Sequence, residues 1–148
     1  MSKINLTFRI ATEKDLEFLI WLRQETMAEH LKSAGMEVDE ENFLSRIKHQ
    51  FEHAKIILVK NQKIGLLKLI ETDTEIEILQ IQIMPDYQNK GIGKDIIQSI
   101  IENSSIKKIP VKLSVLKTNK AQNLYKTLGF AIYDEDKNSY FMKTSQTI

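Results

Sequence analysis

Residues 74–94 read TEIEILQIQIMPDYQNKGIGK, and this run decides the fold. Isoleucines alternate at Ile76 and Ile78, then at Ile81 and Ile83, so the phase changes from even to odd between Ile78 and Leu79. Side chains on a strand point to alternate faces, so a one-residue slip implies a β-bulge at that point. A strand buried on both faces would accept the same residues without one. Pro85 ends the strand. Gln88 to Gly93 then forms a loop, behind which Ile92, Ile96, Ile97, Ile100 and Ile101 recur at helical spacing. A strand therefore passes through a glycine-bearing loop straight into a helix.

Upstream of this run, Leu6 to Ile10 reads as a short strand. Thr12 follows as an N-cap, with Asp15 in the capping-box position three residues on. The helix it opens is expected to reach about Leu31, and a second helix spans about Asp39 to His53. Ile56 to Val59 and Ile64 to Ile70 form a hairpin about a turn at Asn61-Gln62. Downstream, Pro110 opens a strand over Val111 to Leu116, and a helix from about Lys120 to Leu128 closes on Gly129. Phe130 to Tyr133 and Ser139 to Met142 pair across a turn at Asp134 to Asn138. The order β-α-α-β-β-β-α-β-α-β-β predicts an α/β protein: a mixed sheet covered by about four helices, with a strand–loop–helix crossover at its centre.

With 148 residues, the chain is one domain's worth (residues 1–148), and 42% hydrophobic with 28% charged residues excludes wholesale disorder. Lys+Arg at 21 against Asp+Glu at 20 leaves a net charge of +1, so no global field draws the protein to nucleic acid or an anionic membrane. The absence of cysteine excludes disulfides, thiolate metal sites and thiol nucleophiles. His49 and His53 share a helical spacing, but no His-Glu-x-x-His pattern or third ligand accompanies them, so no metal is expected. No apolar run approaches the length of a signal peptide or membrane span, and the expected location is cytoplasmic.

Two of the five glycines, Gly91 and Gly93, stand where the strand hands over to the helix. Glycines there let a backbone approach a ligand closely, and the free N–H groups of the helix start favour an anion. Lys90 and Lys94 flank them. Both familiar nucleotide loops fail. A P-loop would need glycine at Gln88 and a hydroxyl at Asp95, and a dinucleotide loop would need a small residue at Ile96. By themselves, two spaced glycines are equally compatible with a tight turn.

The spacing Gln88-x-x-Gly91-x-Gly93 after a bulged strand resembles the coenzyme A loop of the GNAT (Gcn5-related) N-acetyltransferase superfamily. A second segment, Asn119-x-Ala121-x-x-Leu124-Tyr125-x-x-Leu128-Gly129-Phe130, is similar to that family's C-terminal signature. The resemblance covers the whole chain in element order. It implies a GNAT-like fold, a mostly antiparallel mixed sheet whose fourth strand is bulged, and acetyl-CoA as donor with coenzyme A as product. Carried over residue by residue, it implies that backbone amides of Gln88, Asn89, Lys90, Gly91, Ile92, Gly93 and Lys94 hold the pyrophosphate. The pantetheine arm would pair with the backbones of Ile81, Gln82 and Ile83. Splaying at a bulge would leave such main-chain groups free to do so.

Acetyl transfer from a thioester to an amine needs a neutral amine, an oxyanion donor and a proton for the departing thiolate. Tyr125 is the expected proton donor, since a phenol with an ordinary pKa of about 10 stays protonated at neutral pH. Its stripe with Ala121, Leu124 and Leu128 is equally that of a core tyrosine. Glu77 on the bulged strand resembles a glutamate that takes the amine proton through water in some members; solvent is the other acceptor. Asn119 matches a position near the coenzyme thiol and is also a natural N-cap. On the first helix, Arg23 and His30 project into the apolar sector of Leu16, Leu19, Ile20 and Met27. Polar groups there either line a cavity or reach past the core to water. The resemblance implies that the first two helices and their connection wall the acceptor site, so Arg23 and His30, with Trp21, are the expected acceptor-pocket residues.

The expected function is transfer of an acetyl group to a primary amine of a small molecule or a protein. The alternative is a non-catalytic acyl-CoA-binding or sensing module, which would have no use for a positioned phenol. No nucleic-acid or membrane partner is expected, and the closing strands offer an edge on which a homodimer could form.

Overall fold

The computed structural model describes residues 4–33 and 40–145. Seven strands form one sheet: β1 (Thr7–Ile10), β2 (Ala54–Val59), β3 (Gln62–Glu71), β4 (Ile76–Ile83), β5 (Val111–Leu116), β6 (Phe130–Glu135) and β7 (Ser139–Thr144). They run in the order β1-β2-β3-β4-β5-β7-β6. Every pairing is antiparallel except β4 with β5, which is parallel. A parallel pair needs a crossover, and the helix α3 (Ile92–Lys107) supplies it. The remaining helices are α1 (Leu16–Ser33), α2 (Glu40–Lys48) and α4 (Ala121–Thr127). The expected mixed, mostly antiparallel sheet with four helices is the one observed.

The sheet separates two cores of different character. On the α3 side, Ile57, Leu67, Ile76, Ile78, Ile96, Ile97, Val111, Leu113 and Met142 are all buried in one apolar cluster. On the side of α1 and α2, Leu19, Leu22, Ile47, Ile56 and Leu66 form a smaller one. That second side also buries charge: Arg23, Lys68 and Asp15 are each under 5% exposed. Asp15 closes the expected capping box with Thr12, its carboxylate accepting the Thr12 N–H at 2.8 Å. A short 3-10 turn over Glu13–Asp15 precedes α1 itself. Arg9 and Lys63 also bind the Asp15 carboxylate, at 2.9 and 2.6 Å. The Arg9 contact above all holds its pKa well below the usual carboxylate range.

The hairpin turn falls one residue earlier than expected. Lys60 and Asn61 both have positive φ, and Gln62 already pairs with Val59. Two positive φ values match the right-handed twist of the flanking strands, which a turn centred on Asn61-Gln62 would not.

Candidate active site

The bulge lies where the isoleucine phase predicts it. In the β3–β4 ladder Lys68 pairs with Gln80 and Leu69 with Ile78, so Leu79 is the extra residue. On its other edge β4 pairs with β5 only from Ile76–Val111 to Ile78–Leu113. Past that point β4 stays with β3 as far as Ile83, while β5 continues against β7 to Leu116. The two strands diverge, and a cleft of about 160 Å³ opens between them. Leu79, Gln80, Ile81 and Gln82 form one wall, and Ser114, Val115 and Leu116 the other. Tyr125 and Asn119 close one end, and Arg23 from α1 and Arg46 from α2 reach in from the helical layer.

Alternation along β4 determines which backbone groups face the divergence. The Met84 N–H donates to the Ile64 carbonyl at 2.7 Å, so the even-numbered peptide groups at this end turn toward β3. The Gln82 carbonyl does likewise: it would lie 2.3 Å from a Cβ placed on Gly65, which is why β3 carries glycine there. The main-chain groups of Ile81 and Ile83 therefore point toward the splayed side. One of them is already engaged, because the Gln88 side chain donates to the Ile83 carbonyl at 2.8 Å. That bond ties the glycine loop to the end of the strand.

In the loop, Asn89 and Gly91 take positive φ, of 63° and 81°. The first helical bond of α3 runs from the Asp95 N–H to the Gly91 carbonyl at 2.9 Å, so the N–H groups of Ile92, Gly93 and Lys94 have no acceptor within the helix. Ile92 is buried and anchors this end, while Lys90 and Lys94 are exposed on either side. Gly93 has no backbone need for glycine, and a Cβ there would meet nothing within 4 Å. Such a bare helix start fits a pyrophosphate approaching the main chain.

Tyr125 is 9% exposed and its ring packs on Phe130 with centroids 5.9 Å apart. Burial raises its phenol pKa above the ordinary value, which keeps the proton in place. Lys120, not Asn119, is the N-cap of α4; the Asn119 Oδ1 accepts the N–H of the first helical residue, Ala121, at 2.9 Å while lining the cleft. Glu77 is half-buried and pairs in register with Lys112; it shares a sheet face with neighbouring Glu75 and is not among the cleft-lining residues. Trp21 sits outside the cleft, 38% exposed against Phe18. His30 falls on α1, but its side chain lies outside the described residues.

Three groups at this site did not emerge from the sequence reading. Arg46 lines the cleft from an exposed position on α2, and Gln80 from β4 just past the bulge. Lys68, opposite Gln80, buries its ammonium against the C-terminal end of α2 and donates to the carbonyls of Ile47 (2.9 Å), Arg46 and His49. A cation there satisfies carbonyls that the helix leaves unbonded. Burial, then the charges of Arg23 and Arg46, lower the Lys68 pKa to about 8. Burial and the neighbouring Arg46 lower that of Arg23 to about 10. The signal that could have flagged Lys68 is a lone charge inside the apolar run of residues 64–70.

Comparisons with known proteins agree with this geometry. The chain is 28% identical over 132 residues to acetyltransferase PseH of Campylobacter jejuni, spanning 86% of this chain and 83% of that one. Its fold superposes on the PaiA N-acetyltransferase of Thermoplasma acidophilum, solved in complex with coenzyme A, with a TM-score of 0.70 at 21% identity over 95% of this chain and 99% of that one. An acetyltransferase from Thermus thermophilus gives a TM-score of 0.74 at 16% identity, covering 97% and 98%. The family model for the acetyltransferase (GNAT) domain matches residues 23–141, from the buried arginine of α1 to the middle of β7, and the chain belongs to that family.

Proposed function

We propose that the protein transfers the acetyl group of acetyl-CoA to a primary amine of a small molecule or a protein, within the cleft between β4 and β5. One observation carries this reading: the strands diverge past Ile78, with a bare glycine loop at the far end of the open edge. When bound, acetyl-CoA supplies the acetyl group activated as a thioester. The N–H groups of Ile92, Gly93 and Lys94 hold the pyrophosphate, and Lys90 and Lys94 add charge beside it. The Ile81 and Ile83 main chain aligns the pantetheine arm as an added strand would. An N–H on that edge also faces the acetyl oxygen, where negative charge develops. The Tyr125 hydroxyl donates its proton to the departing sulfur as the bond to the amine forms. Glu77 lies outside the cleft lining, so it would take the amine proton only through water, with solvent as the other acceptor.

The test is thermal unfolding with acetyl-CoA, coenzyme A, ATP and NAD at equal excess. At 100 times its Kd a ligand adds about 2.7 kcal/mol, which moves the midpoint by several degrees for a domain of this size. Both CoA species are expected to shift it, and ATP and NAD are not. No shift with acetyl-CoA would end the assignment.

A further inference from the structure

We infer that the cleft carries an anion subsite for the acceptor: Arg23 and Arg46 bind a carboxylate or phosphate on the same molecule whose amine is presented to Gln80. The inference rests on the acetyl-transfer reading and adds to it the chemical class of the acceptor.

Two arginines line the cleft, one from each helix of the covering layer, and no Asp or Glu does so among the described residues. Arg23 is only 4% exposed. Arg46 disfavours its charge, and both arginines disfavour the charge of buried Lys68, which Glu52 favours. Guanidinium groups from two helices that converge on one cleft favour an entering anion over a cation. The donor's phosphates do not fill this role, because no residue of the Gln88–Lys94 loop lines the cleft. A carboxylate or phosphate also matches the flat array of donors on a guanidinium.

Gln80 supplies the second half of the argument. Its Oε1 is buried and without a hydrogen-bond partner. It sits immediately after the bulge, on the wall that faces Ser114 and Tyr125. An acceptor-only oxygen in that position calls for an N–H, which the incoming amine provides. The cationic surround also works against an ammonium and in favour of the neutral amine, the form that attacks. An acceptor bearing only positive charge would be repelled.

The experiment uses the full chain saturated with coenzyme A, so that the loop is already occupied. Sodium phosphate and sodium malonate are titrated into it against sodium chloride at matched ionic strength, with thermal unfolding as the readout. Phosphate, malonate or both are expected to stabilise saturably, and the arm that does so identifies the anion. Arg46 is exposed, so Arg46→Glu tests the site without removing a core group; it should weaken the anion at least tenfold and leave coenzyme A affinity within twofold. A second arm compares acetylation of glucosamine 6-phosphate with glucosamine, and of 4-aminobutyrate with 1-aminobutane. At least one anionic member should lead by tenfold or more in kcat/KM, and Arg46→Glu should reduce that lead below threefold. Normal coenzyme A binding with no anion-specific stabilisation overturns the inference, as does anion binding that Arg46→Glu leaves intact. If coenzyme A itself fails to bind, the acetyl-transfer reading falls. The same anion titration on the free protein, with and without Arg46→Glu, then decides the subsite alone.

Discussion

The two ends of β4 both alternate isoleucine with a polar residue but have opposite fates. At the Ile76–Ile78 end the strand is laddered on both edges, to β3 and to β5, and its isoleucines are buried in the α3-side core. At the Gln80–Ile83 end it is laddered to β3 alone, and its polar side chains line a cleft. One inserted residue, Leu79, separates them. The comparison teaches that a sheet opens for a ligand by losing register with one neighbour while keeping the other. The closed end holds the fold and the open end holds the chemistry.

Three substitutions would break or sharpen that division. The largest effect belongs to the open end. Tyr125→Phe should lower kcat by about a hundred- to thousandfold while leaving coenzyme A affinity within twofold, read by steady-state kinetics and calorimetry. Undiminished turnover would remove Tyr125 from the proton-donor role and return it to the core. At the closed end, Ile76→Ala, a buried core residue that does not line the cleft, should cost about 3 kcal/mol in denaturant unfolding, with the KM for acetyl-CoA within twofold of the parent. A selective rise in KM at unchanged stability would mean that the two ends are not separate in function.

The smallest effect concerns Lys68, opposite Gln80 at the first pair beyond the bulge. Its folded pKa, about 8, lies below the ordinary 10.5. Between those values the unfolded chain binds more protons than the folded one, so this group makes stability rise with pH across that window and adds nothing further above it. The parent should therefore gain up to about 2 kcal/mol relative to Lys68→Met between pH 8 and 10. Chemical denaturation at several pH values measures it. Parallel curves for the two proteins would show that the ammonium is better solvated than its burial implies.

How much was legible in the sequence follows the same boundary. The bulge, the glycine loop and the capping box are local patterns, and a period of two, a spacing of glycines or an interval of three residues fixes each. Arg23 was legible for the same reason, since a helix places it about 200° around the axis from Trp21, on nearly the opposite side. Only one of those two neighbours turns inward, and the structure buries Arg23. Lys68 and Arg46 were not legible. Lys68 meets carbonyls of α2 and of His49 just past it, 19 to 22 positions away in sequence, and no periodicity within β3 says which helix end will lie above it. Asn119 was ambiguous because one side chain both bonds the first N–H of α4 and borders the cleft, and the sequence signal of the first hides the second.

The bulge has a further consequence for how this protein tolerates change. Leu79 matters through its existence more than its identity. A different residue at 79 preserves the count that sets Ile78 toward one core and Gln80 toward the other. Deleting it would restore a single parity along the strand, turning either the isoleucines or the glutamines to the wrong side and closing the gap against β5. The opening in this sheet is stored as a number of residues, and point substitution is a poor tool for erasing it.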